Sequence, residues 1–467
     1  MTRARAARTA ALGGRLAFVL LVAILPFRAR SDVIVRPAAS LSSILADLVV
    51  YAIDVLVVAT LVLWLLGRAI EGRRIDLGPR ALRLPALAIV GLAWLTIPFG
   101  VEPGLSVVGA ARITVGAVLA LYVINEVVGL GALTAPIGVM LAIQGSVAVA
   151  QAVTGGSVGL SAIGELALDP AVPGTSVVTV ADGTRILRAY GLSTHPNVLG
   201  GALACGMLIL MAASTRTRAA RLAQAGVLAL AAAALVVTFS RGAWLGAAAG
   251  IVVGLAIVVG GGRDPLAVSA RRWVVAAVVI VGAALATGWL AGDAVAARTW
   301  LDSSVAPTEQ RSIDERVEQI RLGWEVLLER PLTGAGASAL PLAMRQIEPD
   351  FPFALYSPHL VPLAVAAELG VAGGVAYLWL MAAPWVLLAG ARRRWTAELA
   401  GASAALAALT IVSLFDDYPW VGGPGRTLAW LVVGLWAMAW LRAGTATSSG
   451  SETSIERTSP EGAAGRG

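Results

Sequence analysis

Stretches of about twenty uninterrupted apolar residues constrain this chain more than any other feature. A helix that crosses a bilayer takes roughly that many. Such runs fall near 16–27, 44–67, 83–99, 105–124, 132–154, 196–214, 222–239, 243–260, 273–291, 360–389, 398–415 and 427–442. Charged residues make up only 13% of the 467 and hydrophobic ones 58%, whereas soluble domains carry about 25% charge. A soluble globular enzyme and a disordered chain are both excluded. The predicted fold is all-α, a polytopic membrane protein with about 12 transmembrane helices.

The opening residues have the charged and apolar parts of a signal peptide. No small-x-small cleavage site follows them; Phe27-Arg28-Ala29-Arg30 stands there instead. They read as a retained first span. The single cysteine, Cys205, sits in an apolar run with no partner for an intrachain disulfide.

The net charge of +7 comes from 35 basic and 28 acidic residues, and every basic residue is arginine. Arginine clusters lie at 3–15, 68–83, 216–221, 263–272 and 392–394. With the N-terminus inside and about twelve spans, all of them fall on the cytoplasmic side, as the positive-inside rule requires. Arg28, Arg30 and Arg36 run against it. The chain then divides into N-terminal spans (1–154), an outer loop with a small hairpin (155–195), and central spans (196–291). A large outer loop (292–358), C-terminal spans (359–442) and a disordered cytoplasmic tail (443–467) follow. In the first loop Val177–Val180 and Arg185–Arg188 flank Asp182-Gly183, a hairpin turn dipeptide. In the second, Ile313, Val317, Ile320, Trp324 and Leu327 recur at helical spacing, which predicts an amphipathic helix along the membrane surface that stops at Pro331.

Both histidines fall where a span begins on the outer side. Ser357-Pro358-His359 reads as N-cap, first and second helical residues. The helix dipole would favour the neutral imidazole there, the form a general base needs. The residue alone supports either such a base or an interfacial histidine that caps or packs. His195-Pro196 has the same layout, and His195 is expected to be a cap or an acceptor contact. Arg188, Arg241 and Arg316 gather on the same face. Taken singly, Arg241 fits a snorkelling residue and Arg316 a solvated one; together they fit an anionic site, because a guanidinium grips phosphate oxygens in a fork. Asp54 and Arg112 are charges inside spans, expected at similar mid-depth as a buried structural ion pair rather than a substrate or proton path. Asp416-Asp417, between the last two spans, could bind a metal but is expected to be an exposed cap. No metal ligands are assigned: the outer segments carry no Asp-x-Asp or Glu-x-Asp pair, and the chain has no Walker A or HExxH motif.

Four motifs in order resemble the O-antigen ligase and polysaccharide polymerase superfamily. They are Arg188-x-x-Gly191-x-x-x-His195-Pro196-Asn197-x-x-Gly200, Thr238-Phe239-Ser240-Arg241-Gly242-Ala243-Trp244, Arg316 to Trp324 with Pro331-x-x-Gly334-x-Gly336, and His359 with Glu368-Leu369-Gly370. They span 188–370. Pro358-His359-Leu360 lacks the polar residue that often follows this histidine in the family. The resemblance implies a cofactor-free, metal-independent, inverting glycosyltransferase in the cytoplasmic membrane with its site facing outside. Its donor would be a glycan on polyprenyl pyrophosphate and its acceptor a glycan, lipid or wall hydroxyl; membrane lipids surround it and nucleic acid plays no part. His359 would be the base, and Arg241, Arg316 and Arg188 would hold the pyrophosphate. Ligase and polymerase differ only in acceptor, which the sequence does not separate; a ligase is the expectation. A lipid-linked-glycan flippase built on Asp54 and Arg112, and a non-catalytic envelope scaffold, are the alternatives from other classes.

Overall fold

The computed structural model describes residues 3–34, 48–261, 264–299, 307–351 and 356–456; Arg36 lies outside them. Fifteen α-helices and two small two-stranded sheets appear among the described residues. The N-terminal part holds α1 (Arg3–Ala23), α2 (Ala52–Glu71), α3 (Arg80–Leu95), α4 (Pro103–Glu126) and α5 (Thr134–Thr154). The central part holds α6 (Pro196–Ala212), α7 (Arg218–Val237), α8 (Arg241–Gly260) and α9 (Asp264–Leu290). Then come α10 (Gly292–Thr299), α11 (Pro307–Glu329) and α12 (Leu340–Ile347), followed by α13 (Val361–Gly390), α14 (Ala397–Val412) and α15 (Gly423–Glu456). Every apolar run contains a helix. Nine helices among the described residues are long and apolar enough to cross a membrane, which makes this a polytopic membrane protein.

Two apolar helices, α6 and α14, are shorter, and burial accounts for their character. Nearly every residue of α6 from Pro196 to Met211 is buried, as is α14 from Leu399 to Leu409. A helix apolar on all sides belongs in an interior. By contrast α9 turns Val274, Val275, Val278, Val281, Leu285 and Trp289 outward, the pattern of a lipid-facing helix. Glycines repeat every fourth residue along α8 at 242, 246, 250 and 254, and Gly246 and Gly250 make its contact with α14 close. A Cβ on Gly250 would stand 2.7 Å from the Ala404 carbonyl oxygen, and one on Gly246 2.9 Å from that of Ala408. Small residues let backbones approach where lipid gives no hydrophobic drive.

Two boundaries differ from the sequence reading. The second span starts at Ala52, not near 44, because Leu48–Tyr51 (β2) pairs antiparallel with Arg30–Ile34 (β1). Its β-branched and aromatic residues suit a strand as well as a helix. Asp54 therefore lies in the first turn of α2, where its Oδ2 accepts from the Tyr51 backbone N–H at 3.0 Å, and not at mid-depth. Finally, α15 continues to Glu456, past Arg442 and into the stretch read as disordered; the Ser, Thr and Glu there are polar without breaking a helix.

The hairpin consists of β3 (Val177–Thr179) and β4 (Arg185–Leu187), closed at Asp182-Gly183. The amphipathic helix α11 ends at Glu329, before Pro331. Its buried face is only partly the expected one: Leu327 is buried and Ile320 packs against the core. Gln319, Leu322, Val326 and Leu327 face inward, while Val317 and Trp324 are 58% and 51% exposed.

The turn after α11 docks into a break in α13. Gly370 has φ 77° and interrupts the helix. The carbonyls of Ala367 and Glu368 accept from Ala335 and Gly336, and Val371 donates to Pro331. All three bonds satisfy backbone groups that the break exposes, as buried peptide groups require. A Cβ on Gly334 would meet the Glu368 carbonyl at 2.4 Å. The Pro331–Gly336 and Glu368–Gly370 motifs are thus two halves of one joint.

Candidate functional site

A tight turn, Thr238-Phe239-Ser240, joins α7 to α8 and supports the site from below. Phe239 takes φ 50°, an uncommon conformation for a bulky residue that its surroundings must hold in place. Its ring is buried with Val178 of β3 and Ala294 of α10. Two arginines grip the turn. Arg188 Nε donates to the Thr238 carbonyl at 2.9 Å, and Arg298 Nε to the Phe239 carbonyl at 3.0 Å.

Arg188 is buried just after β4. Its remaining described bonds go to Ser176 Oγ at 3.1 Å and Asn197 Oδ1 at 2.5 Å. Asn197 in turn donates through Nδ2 to Asp416 Oδ1 at 3.2 Å. A chain of bonds therefore runs from the α7–α8 turn through Arg188 and Asn197 to the loop between α14 and α15. Burial, and next the charge of Arg298, push Arg188 down to about 9, still a cation at neutral pH. His195 caps α6 by accepting from the Asn197 N–H at 3.1 Å through Nδ1, which puts its own proton on Nε2. Burial first, then Arg188, His359 and Arg316, hold it well below the usual imidazole range.

His359 precedes the helix instead of opening it. The N-cap of α13 is Leu360, and Pro362 occupies the first turn. Ser357 Oγ is buried and has no hydrogen-bond partner among the described residues, so it caps nothing. The neutrality of His359 has other causes: burial, then the adjacent Arg316, lower it to about 3. Its Nδ1 lies 3.1 Å from Gln319 Oε1. The amide nitrogen of Gln319 faces the Glu315 carboxylate at 3.4 Å, which leaves Oε1 for the histidine. An amide oxygen only accepts, so Nδ1 carries the proton and Nε2 is the basic nitrogen.

Asp416 and Asp417 are the residues sequence reasoning misread. Neither is an exposed cap. Asp416 is buried, and burial raises it to about 6 against the pull of Arg316 and Asn197. Burial and then Asp416 raise Asp417 to about 7. One donor atom each from His359, Asp416 and Asp417 lie within 4.8 Å of one another, a spacing that can hold a metal ion. The cause lies in the fold: α13, α14 and α11 enclose the loop, and Arg316 Nη1 donates to the Phe415 carbonyl at 3.4 Å. Arg298 was missed; no motif marks it.

The structure thus brings Arg188, Arg298, Arg316, His195, His359, Asp416 and Asp417 together. Arg241, first residue of α8, joins through a 3.5 Å bond to the Arg298 carbonyl. Asp54 and Arg112 stand elsewhere. They share a cavity with Arg426, but no bridge joins them among the described residues: Arg112 Nη2 donates to the Val49 carbonyl. Chemically, the cluster offers a neutral imidazole of fixed tautomer, two carboxylates beside it and several permanent cations. It can take a proton and hold an anion in one place.

Comparison with known families finds that residues 226–378 match the family described as O-Antigen ligase. No curated protein matches the chain.

Proposed function

This chain carries an O-antigen ligase domain and is an integral-membrane enzyme of that family, and from that premise we propose the following reaction. A glycan moves from a polyprenyl pyrophosphate carrier to an acceptor hydroxyl on the outer face of the cytoplasmic membrane. The apolar runs cross about twelve times, with the arginine clusters inside and the His359 cluster outside.

His359 Nε2 takes the acceptor proton while the hydroxyl oxygen attacks the anomeric carbon from the side opposite the pyrophosphate, inverting it. The bond from carbon to pyrophosphate oxygen breaks, and that group leaves as an anion, so no acid is needed. Arg316 and Arg241, with Arg298 beside them, hold the developing charge. Arg188 acts through the Thr238 turn and Asn197 instead of gripping the donor directly. Asp416 and Asp417 steady the imidazolium that forms. The observation that carries this reading is the Gln319–His359 bond next to Arg316: a base of fixed tautomer beside an anion-binding cation.

The transfer is metal-independent in this account. Arg316 already supplies positive charge to His359, Asp416 and Asp417, where a divalent cation would meet repulsion. Ligase is the reading we favour over polymerase, whose chemistry is the same.

Purified protein in nanodiscs, given lipid-linked glycan and acceptor, is expected to form a new linkage and to do so after chelation with EDTA. A protein that only moves the lipid across the bilayer, or needs an added metal, overturns the proposal. Single cysteines placed at positions 310 and 393 in a Cys205→Ser background check the sidedness with an impermeant maleimide. Labelling at 393 but not 310 in intact cells would put the site on the wrong face.

A further inference from the structure

A second polar cluster lies away from His359, where the starts of α2 and α15 meet α4. A cavity of about 520 Å³ opens there, with Asp54, Arg112 and Arg426 among its lining residues. Its walls include Val55, Val58 and Val107, all exposed. On helices that cross a membrane, an outward-open valine wall faces acyl chains rather than water.

The charges inside are unusual for such a setting. Arg426 is buried; its Nε donates to the Trp420 carbonyl at 2.7 Å and its Nη2 to that of Val421 at 2.9 Å. Those bonds use two of its five N–H groups, and the described bond of Arg112 uses one. Asp54 Oδ2 is engaged by the Tyr51 N–H. Among the lining side chains, two guanidinium charges less one carboxylate give a net +1, with Glu368 also acting on Arg426. Intramembrane charge without a matching partner is costly and marks a ligand or a pathway. The charged groups acting on Arg426 are Arg112, Glu368 and Asp54, none of them a member of the His359 cluster.

We propose that this cavity binds one anionic glycerophospholipid of the surrounding bilayer. Its phosphodiester, with a single negative charge, lies between Arg112 and Arg426. An acyl chain follows Val55, Val58 and Val107. A guanidinium fork matches phosphate oxygens, and the net +1 suits a phosphodiester better than a pyrophosphate. Because Arg426 holds the Trp420 and Val421 carbonyls, the lipid would brace the loop that carries Asp416 and Asp417.

Native mass spectrometry of the full-length protein, delipidated in neutral detergent, tests this. Phosphatidylglycerol is titrated in, with phosphatidylcholine and inorganic phosphate as separate arms, and melting curves in the same detergent check folding. One phosphatidylglycerol is expected to be retained and to raise the melting temperature. Arg112→Gln should weaken it about tenfold or more, the loss of a charge-assisted hydrogen bond. Val58→Trp, at a lipid-exposed position, keeps every charge and should weaken it by crowding the chain. Equal retention of phosphatidylcholine, or retention unchanged in both variants, overturns the site. Equal protection by inorganic phosphate replaces the lipid with a free anion and overturns it too.

Discussion

Replacing Asp416 with asparagine should pull stability and activity in opposite directions. Its side chain is 6% exposed, and burial lifts its carboxyl from 3.8 to about 6. A pKa raised in the folded state means that the folded chain holds the proton more tightly than the unfolded one. The ionised form therefore weighs against folding. That penalty is absent below about pH 4, grows as pH rises towards about 6, and is complete above it. Two units at about 1.36 kcal/mol each come to on the order of 3 kcal/mol. The amide has the same shape and can still accept from Asn197 Nδ2 through its oxygen. Asp416→Asn should then melt higher than the parent in detergent at about pH 8, with the difference vanishing towards about pH 4. Transfer should fall, because the carboxylate that steadies the imidazolium is gone. A variant less stable than its parent at about pH 8, or a difference independent of pH, refutes the reasoning.

Arg316→Lys and Arg241→Lys should lose much of their transfer and weaken donor binding despite keeping the charge, since a point charge cannot reproduce the fork; initial rates and donor titrations check this. Gly334→Ala should lower the yield and melting temperature of folded protein, by at least about 1–3 kcal/mol for the positive φ alone, because the new Cβ strikes the Glu368 carbonyl. The transfer rate should rise with pH across the range in which Asp416 and Asp417 ionise, about 6 to about 7, and not near about 3, where His359 titrates; a rate–pH profile on purified protein separates the two.

Spans were legible in this sequence because lipid demands long apolar runs, and little else competes with that signal. Short-range signals at turns were legible too, as at Asp182-Gly183 and Pro331. What failed was any rule that sorts polar outward and apolar inward. On α11 the exposed Val317 and Trp324 looked like core, and the buried Gln319 carried no signal. Asp416-Asp417 looked like a surface pair. Both misreadings fall at the site, where a buried polar group is kept for its chemistry at the expense of the local rule. The Asp54–Arg112 pairing failed for another reason: an error of about two turns in where α2 begins moved Asp54 along the membrane normal. Arg188, Arg316 and His359 were found from sidedness and motif, whereas Arg298, in an unremarkable helix end, gave no signal.

The central claim rests on one imidazole, and His359→Ala tests it most directly. Donor binding and single-turnover transfer should be measured on the same folded preparation. The arginines remain in this variant, so lipid-linked donor should bind with near-parental affinity. Transfer should drop by roughly 10²–10⁴-fold, the range for a lost positioned base. Near-parental transfer by a folded His359→Ala protein would contradict the account, because the proton would then have another acceptor.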